Sequence, residues 1–241
     1  MLGTLSWRRW GCPLVVAGLL ASSASFAKDR AALRNPPEAA RKLVPGGWAI
    51  EALATGDISR DGLADLVMIL RQQDAQNVIA NPESCASGPL DSNPRLLLVA
   101  LGRPKHQGYR LVAEDRALIP IHDDACMEDP LGGPPEIRNG SFKLSTRIFM
   151  NAGGWDVSDQ TFAFRFQDDC VRLIGYESYT ANRGSGDTSG LSVNYLTGRK
   201  KAQTGNFSKD APDVVEWSKL ESNPKLCLDD IGNAFEFEPG R

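Results

Sequence analysis

Two short stretches of this chain are apolar at every position: Leu66-Val67-Met68-Ile69-Leu70 and Leu96-Leu97-Leu98-Val99-Ala100-Leu101. Continuous runs of this length, bounded by polar and turn-forming residues, predict central strands covered on both faces. Further along, the pattern alternates. Phe162, Phe164 and Phe166 share one face, with Ala163 and Arg165 on the other. Gln167-Asp168-Asp169 reads as a polar turn, and residues 171–176 return as the partner strand. Residues 191–196 and 200–204 flank Thr197-Gly198-Arg199, a second hairpin signal. Residues 109–113 and 141–148 complete the predicted strands. Ahead of them, Pro36-Pro37-Glu38-Ala39-Ala40-Arg41-Lys42-Leu43 fits a short helix with proline in its first turn, stopped by Pro45-Gly46-Gly47. The fold class expected is mostly β: one antiparallel sandwich-like or partly propeller-like domain with a short N-terminal helix.

Residues 72–94 and 120–135 fit neither period. Irregular segments this long are uncommon in compact domains unless they are functional or tied down. Cys85 lies in the first and Cys126 in the second, and Cys170 and Cys227 follow. Four cysteines allow three connectivities. Tying the two long segments together favours Cys85 with Cys126, leaving Cys170 with Cys227.

The first residues read as a processing signal. Arg8 and Arg9 form a basic start, residues 13–20 a short apolar core, and Ser25-Phe26-Ala27 a small-residue cleavage site. A bilayer-spanning helix needs roughly 20 apolar residues, and this run is shorter. The expected organisation is a signal peptide over 1–27, a leader with a short helix over 28–47, a β domain over 48–228 and a loose acidic tail over 229–241. The expected location is periplasmic or secreted, with no membrane span after processing, and export suits a disulfide framework. The chain carries a net charge of −3, and processing removes two arginines and no acid. That balance argues against nucleic acid as the main partner. Arg199-Lys200-Lys201 reads as a solvated basic turn.

One segment has the layout of a hard-cation loop: Asp57-Ile58-Ser59-Arg60-Asp61-Gly62-Leu63-Ala64-Asp65. Calcium takes six to eight oxygen ligands, and alternate positions of a tight loop aim successive side chains inward. Asp57, Ser59, Asp61 and Asp65 would offer side-chain oxygens and Leu63 its carbonyl, while Gly62 permits a sharp turn. The EF-hand pattern fails, because Met68 stands where a bidentate glutamate belongs and the flanks read as strands. Asp-Gly between apolar runs is also a hairpin signal without any ion.

Asp57, Asp61, Gly62 and Asp65 resemble the Asp-rich loops of FG-GAP and VCBS-type repeats, as in integrin alpha-chain propellers. That resemblance implies one structural calcium ion between two strands, weakened where Ser59 replaces the usual acid or amide. A single such loop does not imply a whole propeller. More widely, residues 56–70, Asn93 through Leu101, Phe164-Arg165-Phe166-Gln167, Leu173-Ile174-Gly175-Tyr176-Glu177 and Asn194-Tyr195-Leu196-Thr197-Gly198 resemble a group of poorly characterised exported bacterial proteins. The resemblance implies a shared fold and no particular activity.

Signals of catalysis are sparse. His122 beside Asp123 and Asp124 is the candidate for a hydrolase base. No Gly-x-Ser-x-Gly elbow, phosphate loop or dinucleotide fingerprint is present. Asp168-Asp169 and Asp229-Asp230 read as polar turns, and residues 184–190 as a flexible loop. Trp155, beside Gly153 and Gly154, reads as a plug on the core rather than an exposed anchor. The expectation is an exported, non-enzymatic binding or interaction module for an unknown protein or cell-envelope ligand. A periplasmic hydrolase using His122 is the alternative.

Overall fold

A computed structural model describes residues 36–80, 85 and 88–240; the expected signal peptide lies outside them. A short helix, α1 (Glu38–Arg41), precedes the strands. A four-stranded antiparallel sheet has the order β1-β2-β5-β6, built from β1 (Trp48–Gly56), β2 (Asp65–Gln72), β5 (Arg95–Gly102) and β6 (Tyr109–Asp115). Between β2 and β5, β3 (Val78–Ile79) pairs with β4 (Leu90–Asp91). The second sheet is a seven-stranded antiparallel meander in the order β13-β12-β11-β10-β9-β8-β7. Its strands are β7 (Glu136–Arg138), β8 (Ser141–Phe149), β9 (Asp156–Gln167), β10 (Cys170–Asn182), β11 (Asp187–Asn194), β12 (Arg199–Asn206) and β13 (Val214–Lys219). The fold is mostly β and sandwich-like.

The apolar runs take the predicted place. Val67, Ile69, Leu97 and Val99 pack toward Phe142, Phe162, Phe164, Leu173 and Val193 of the larger sheet. Alternate positions Leu66, Met68, Leu70, Leu96 and Leu98 face the other way, into a second cluster with Ala40, Leu43 and Val44. Successive side chains point to opposite faces of a strand, so covering on both sides demands apolar residues at every position.

Charged side chains close one end of the inter-sheet layer. Arg71 and Arg95 are partners in the β2–β5 register and continue the parity of the core-facing residues. A register shift between Ile50 and Ala52 lets Glu51 join them from β1. Arg71 also bonds Asp91 of β4 and Asp129 of the long loop after β6, at 3.0 and 2.9 Å. Both irregular segments are thereby held to the sandwich, and the Cys85–Cys126 disulfide ties them to each other. Cys170–Cys227 forms the second disulfide.

Four expectations need correction. The tail after Leu228 is not loose: Ala234 is fully buried and Phe237 meets the Phe162 ring edge-on, because an open sandwich corner leaves aromatic faces to cover. Trp155 is 67% exposed rather than a plug, since Arg183 donates to the Met150 and Gly154 carbonyls and holds the turn outward. Residues 187–190 belong to β11, and the basic triplet beginning at Arg199 lies on β12 rather than in a turn.

Candidate functional site

The acidic loop joins β1 to β2, and its oxygens meet backbone N–H groups. Asp65, fully buried, accepts from Ile58 and Ser59 at Oδ2 (2.8 and 2.9 Å) and from Gly102 at Oδ1 (2.8 Å). Asp57 accepts from Arg60 and Asp61 at Oδ1 (2.5 and 3.2 Å) and from Gly62 at Oδ2 (3.0 Å). The Ser59 hydroxyl lies 3.5 Å from Asp57, and Asp61 accepts from the Leu63 N–H at 2.8 Å. Leu63 is half-buried against Gly102, whose hydrogen-only side chain is needed there: a Cβ would come within 2.6 Å of the Ala64 carbonyl. Asp57, Asp61 and Asp65 thus act as turn-forming acceptors, and Ser59 donates to Asp57 and Asp65.

Among the described residues, three ligand atoms of His, Cys, Asp or Glu come within 4.8 Å of one another at Cys227, Asp229 and Asp230, and not at Asp57, Asp61 and Asp65. The Cys227 sulfur is committed to its disulfide and offers no thiolate to a metal.

His122 brings its ring Nε2 to the Met127 carbonyl at 2.8 Å, donating the ring proton there. It lines neither of the cavities described next.

The larger sheet carries a different kind of site, on the face turned away from the core. Its layout follows from register. Phe162 and Phe164 point inward, so Thr161, Ala163 and Arg165 point outward. In β10 a register shift between Leu173 and Gly175 reverses the parity, so that Tyr176 faces the core and Gly175, Glu177 and Tyr179 face out. Three outer rows then cross the strands from β8 to β13. One runs Arg147, Asp159, Tyr179, Gly190, Gln203, Val215. The next runs Ser145, Thr161, Glu177, Ser192, Lys201, Trp217. The third runs Lys143, Ala163, Gly175, Asn194, Arg199, Lys219.

Above the first two rows lies an open cavity of about 410 Å³, lined by Asp159, Glu177, Tyr179, Gly190, Lys201 and Gln203 among others. A smaller one of about 160 Å³ adjoins it over Gly175 and Asn194. Gly190 forms a low floor between Tyr179 and Gln203. Strands lie about 4.8 Å apart, so these two side chains stand roughly 10 Å from each other. Glycine is not required there by crowding: a Cβ would sit 3.6 Å from the Ser178 carbonyl oxygen and 3.8 Å from Gln203 Cβ, ordinary contacts. The ladders on both sides of Gly190 are unbroken, so no bulge explains it. Glycine inside a strand weakens it and often marks close approach by a ligand.

Tyr179 is 49% and Trp217 62% exposed, placing aromatic faces on this surface. Arg199 sits over the Trp217 ring at 5.1 Å. Beyond the third row, Arg165 and Arg172 stand directly opposite each other in the β9–β10 register. The net charge of −3 conceals this local excess of cations. Reading the sequence strand by strand misses the face, because it exists only once registers are known.

No family model matches this sequence, and no curated protein or solved structure is significantly similar to it.

Proposed function

We propose that this protein is an exported, non-enzymatic binding module that holds a cell-envelope ligand on the outer face of its seven-stranded sheet. The observation that carries this reading is the slot over Gly190. There a strand gives up a side chain that the packing would accept, between two side chains able to grip a ligand. Export is supported by the leader-like first residues and by two disulfides, which persist in oxidising compartments. Among the described residues no helix is long and apolar enough to cross a membrane. The hydrolase alternative needs His122 beside an acid and a nucleophile, whereas its ring meets a carbonyl. A calcium ion is not needed to hold the acidic loop, because backbone N–H groups already bond Asp57 and Asp65.

The test is a photoreactive phenylalanine analogue placed at Gln203 in the slot and, separately, at the exposed Gln76. Illumination in intact cells is expected to give a discrete adduct from position 203 and none from 76. Adducts from both, or from neither, would remove the reading.

A further inference from the structure

We propose that the ligand of this face is an acidic glycan, a saccharide chain bearing carboxylate groups; the inference rests on the binding role assigned to the face above. Two independent features point to that chemistry. The first is a pair of like charges that is only partly relieved. Arg165 and Arg172 are direct cross-strand partners on the outer face, an arrangement that destabilises a sheet. Asp168 approaches Arg172 at 3.5 Å, and among the described residues no acid pairs with Arg165. The Nε atoms of both arginines are buried and lack a hydrogen-bond partner. A bound carboxylate at the solvent-facing edge of the two guanidinium groups would relieve the repulsion, since guanidinium and carboxylate match in geometry. Cations also exceed acids across the three rows: Arg147, Lys143, Lys201, Arg199 and Lys219 against Asp159 and Glu177.

The second feature is suited to sugar rings rather than to charge alone. Tyr179 lines the open slot and Trp217 stands opposite Lys201 on the neighbouring strand, and both expose aromatic surface of the kind that stacks on the C–H faces of pyranoses. Asp159, Glu177, Asn194 and Gln203 supply the acceptors and donors that hydroxyl groups need. A featureless polyanion would leave these aromatics and acids without a role.

The purified mature protein is titrated with three probes of similar length: a hexauronate, a neutral glucose hexasaccharide and a single-stranded oligonucleotide. The expected result is saturable binding of the hexauronate, weakening as salt is raised, with little binding of the other two. Arg165→Gln should weaken hexauronate binding by about tenfold, the loss expected for one charge-assisted contact. The same change should raise the melting temperature of the free protein, because it removes the like-charge pair. A role confined to the fold would not give that combination. Equal binding of the neutral hexasaccharide, equal binding of the oligonucleotide, or no hexauronate binding would each overturn the proposal. In those cases crosslinking from position 203 still decides separately whether the face binds anything.

Discussion

Glu51 and Arg95 meet in a two-pronged pair, with Arg95 Nε donating to Oε2 at 2.7 Å and Nη2 to Oε1 at 2.8 Å. The Arg95 side chain is 2% exposed and also reaches Asp129 at 2.6 Å. Burial pushes the Glu51 carboxyl above the usual carboxylate range, and Arg71 pulls it back only in part. Removing one member of such a cluster strands the others in a poorly solvated place. Arg95→Met is expected to cost about 3–5 kcal/mol in urea unfolding. The combined Glu51→Leu and Arg95→Met variant should cost less than the sum of the two single changes, because each single change leaves an uncompensated partner. Additive losses would show that the pair is not energetically coupled.

In the acidic loop the hydrogen bonds predict a ranking. Asp65→Asn turns an amide toward N–H groups in a fully buried place and should cost about 1–3 kcal/mol. Asp57→Ala should follow, and Asp61→Ala, which gives up one exposed contact, should cost least. Melting curves with millimolar calcium and with chelator are expected to coincide. A calcium-dependent rise that Asp61→Ala abolishes would instead assign the loop to an ion.

Asp115 predicts a pH dependence. Burial raises its pKa most, the Leu118 and Ala117 N–H groups lower it, and Asp229 raises it; the net direction is up. A carboxyl whose folded pKa is raised favours the protonated form. Its stabilising contribution is complete below the ordinary value of about 3.9 and is lost as pH rises through the raised value. Asp115→Asn keeps an acceptor for Leu118 and Ala117 and carries no charge. It should therefore melt higher than the native protein at pH 7, with the gain vanishing below about pH 4. Equal melting at pH 7 would count against this account of Asp115.

Gly190 predicts a trade of stability against binding. Replacing a mid-strand glycine that has room for a Cβ should stabilise the fold by roughly 0.5–1 kcal/mol. Gly190→Val is expected to raise the melting temperature while the adduct from position 203 disappears. A destabilised Gly190→Val would mean that packing, not a ligand, keeps the glycine.

How much of this was legible in the sequence differs by element. β2 and β5 were, because a strand covered on both faces has no polar position to confuse its reading. The disulfide pairing followed from the need to tie down two long segments, and Cys85–Cys126 and Cys170–Cys227 both form. Glu51 was not legible as a partner of Arg95, because a register shift in β1 turns it toward the arginines. The shift before Gly175 likewise inverts the rest of β10, so Glu177 and Tyr179 cannot be assigned a face by counting from Leu173. The Arg165–Arg172 pair depends on the length of the Asp168-Asp169 turn, where both residues adopt positive φ, 53° and 54°. Trp155 and Phe237 were misjudged because burial of a lone aromatic depends on which corner of the sandwich stands open.

On this reading the outer face of the seven-stranded sheet holds the ligand. Co-sedimentation of the purified protein with isolated cell-envelope material, native chain against Gly190→Trp, tests it most directly. Gly190→Trp fills the open slot from a position where a Cβ meets only ordinary contacts, and an unchanged melting temperature checks that the fold persists. The native protein is expected to sediment with the envelope and Gly190→Trp to remain in the supernatant. Equal sedimentation of two equally folded proteins would contradict the account.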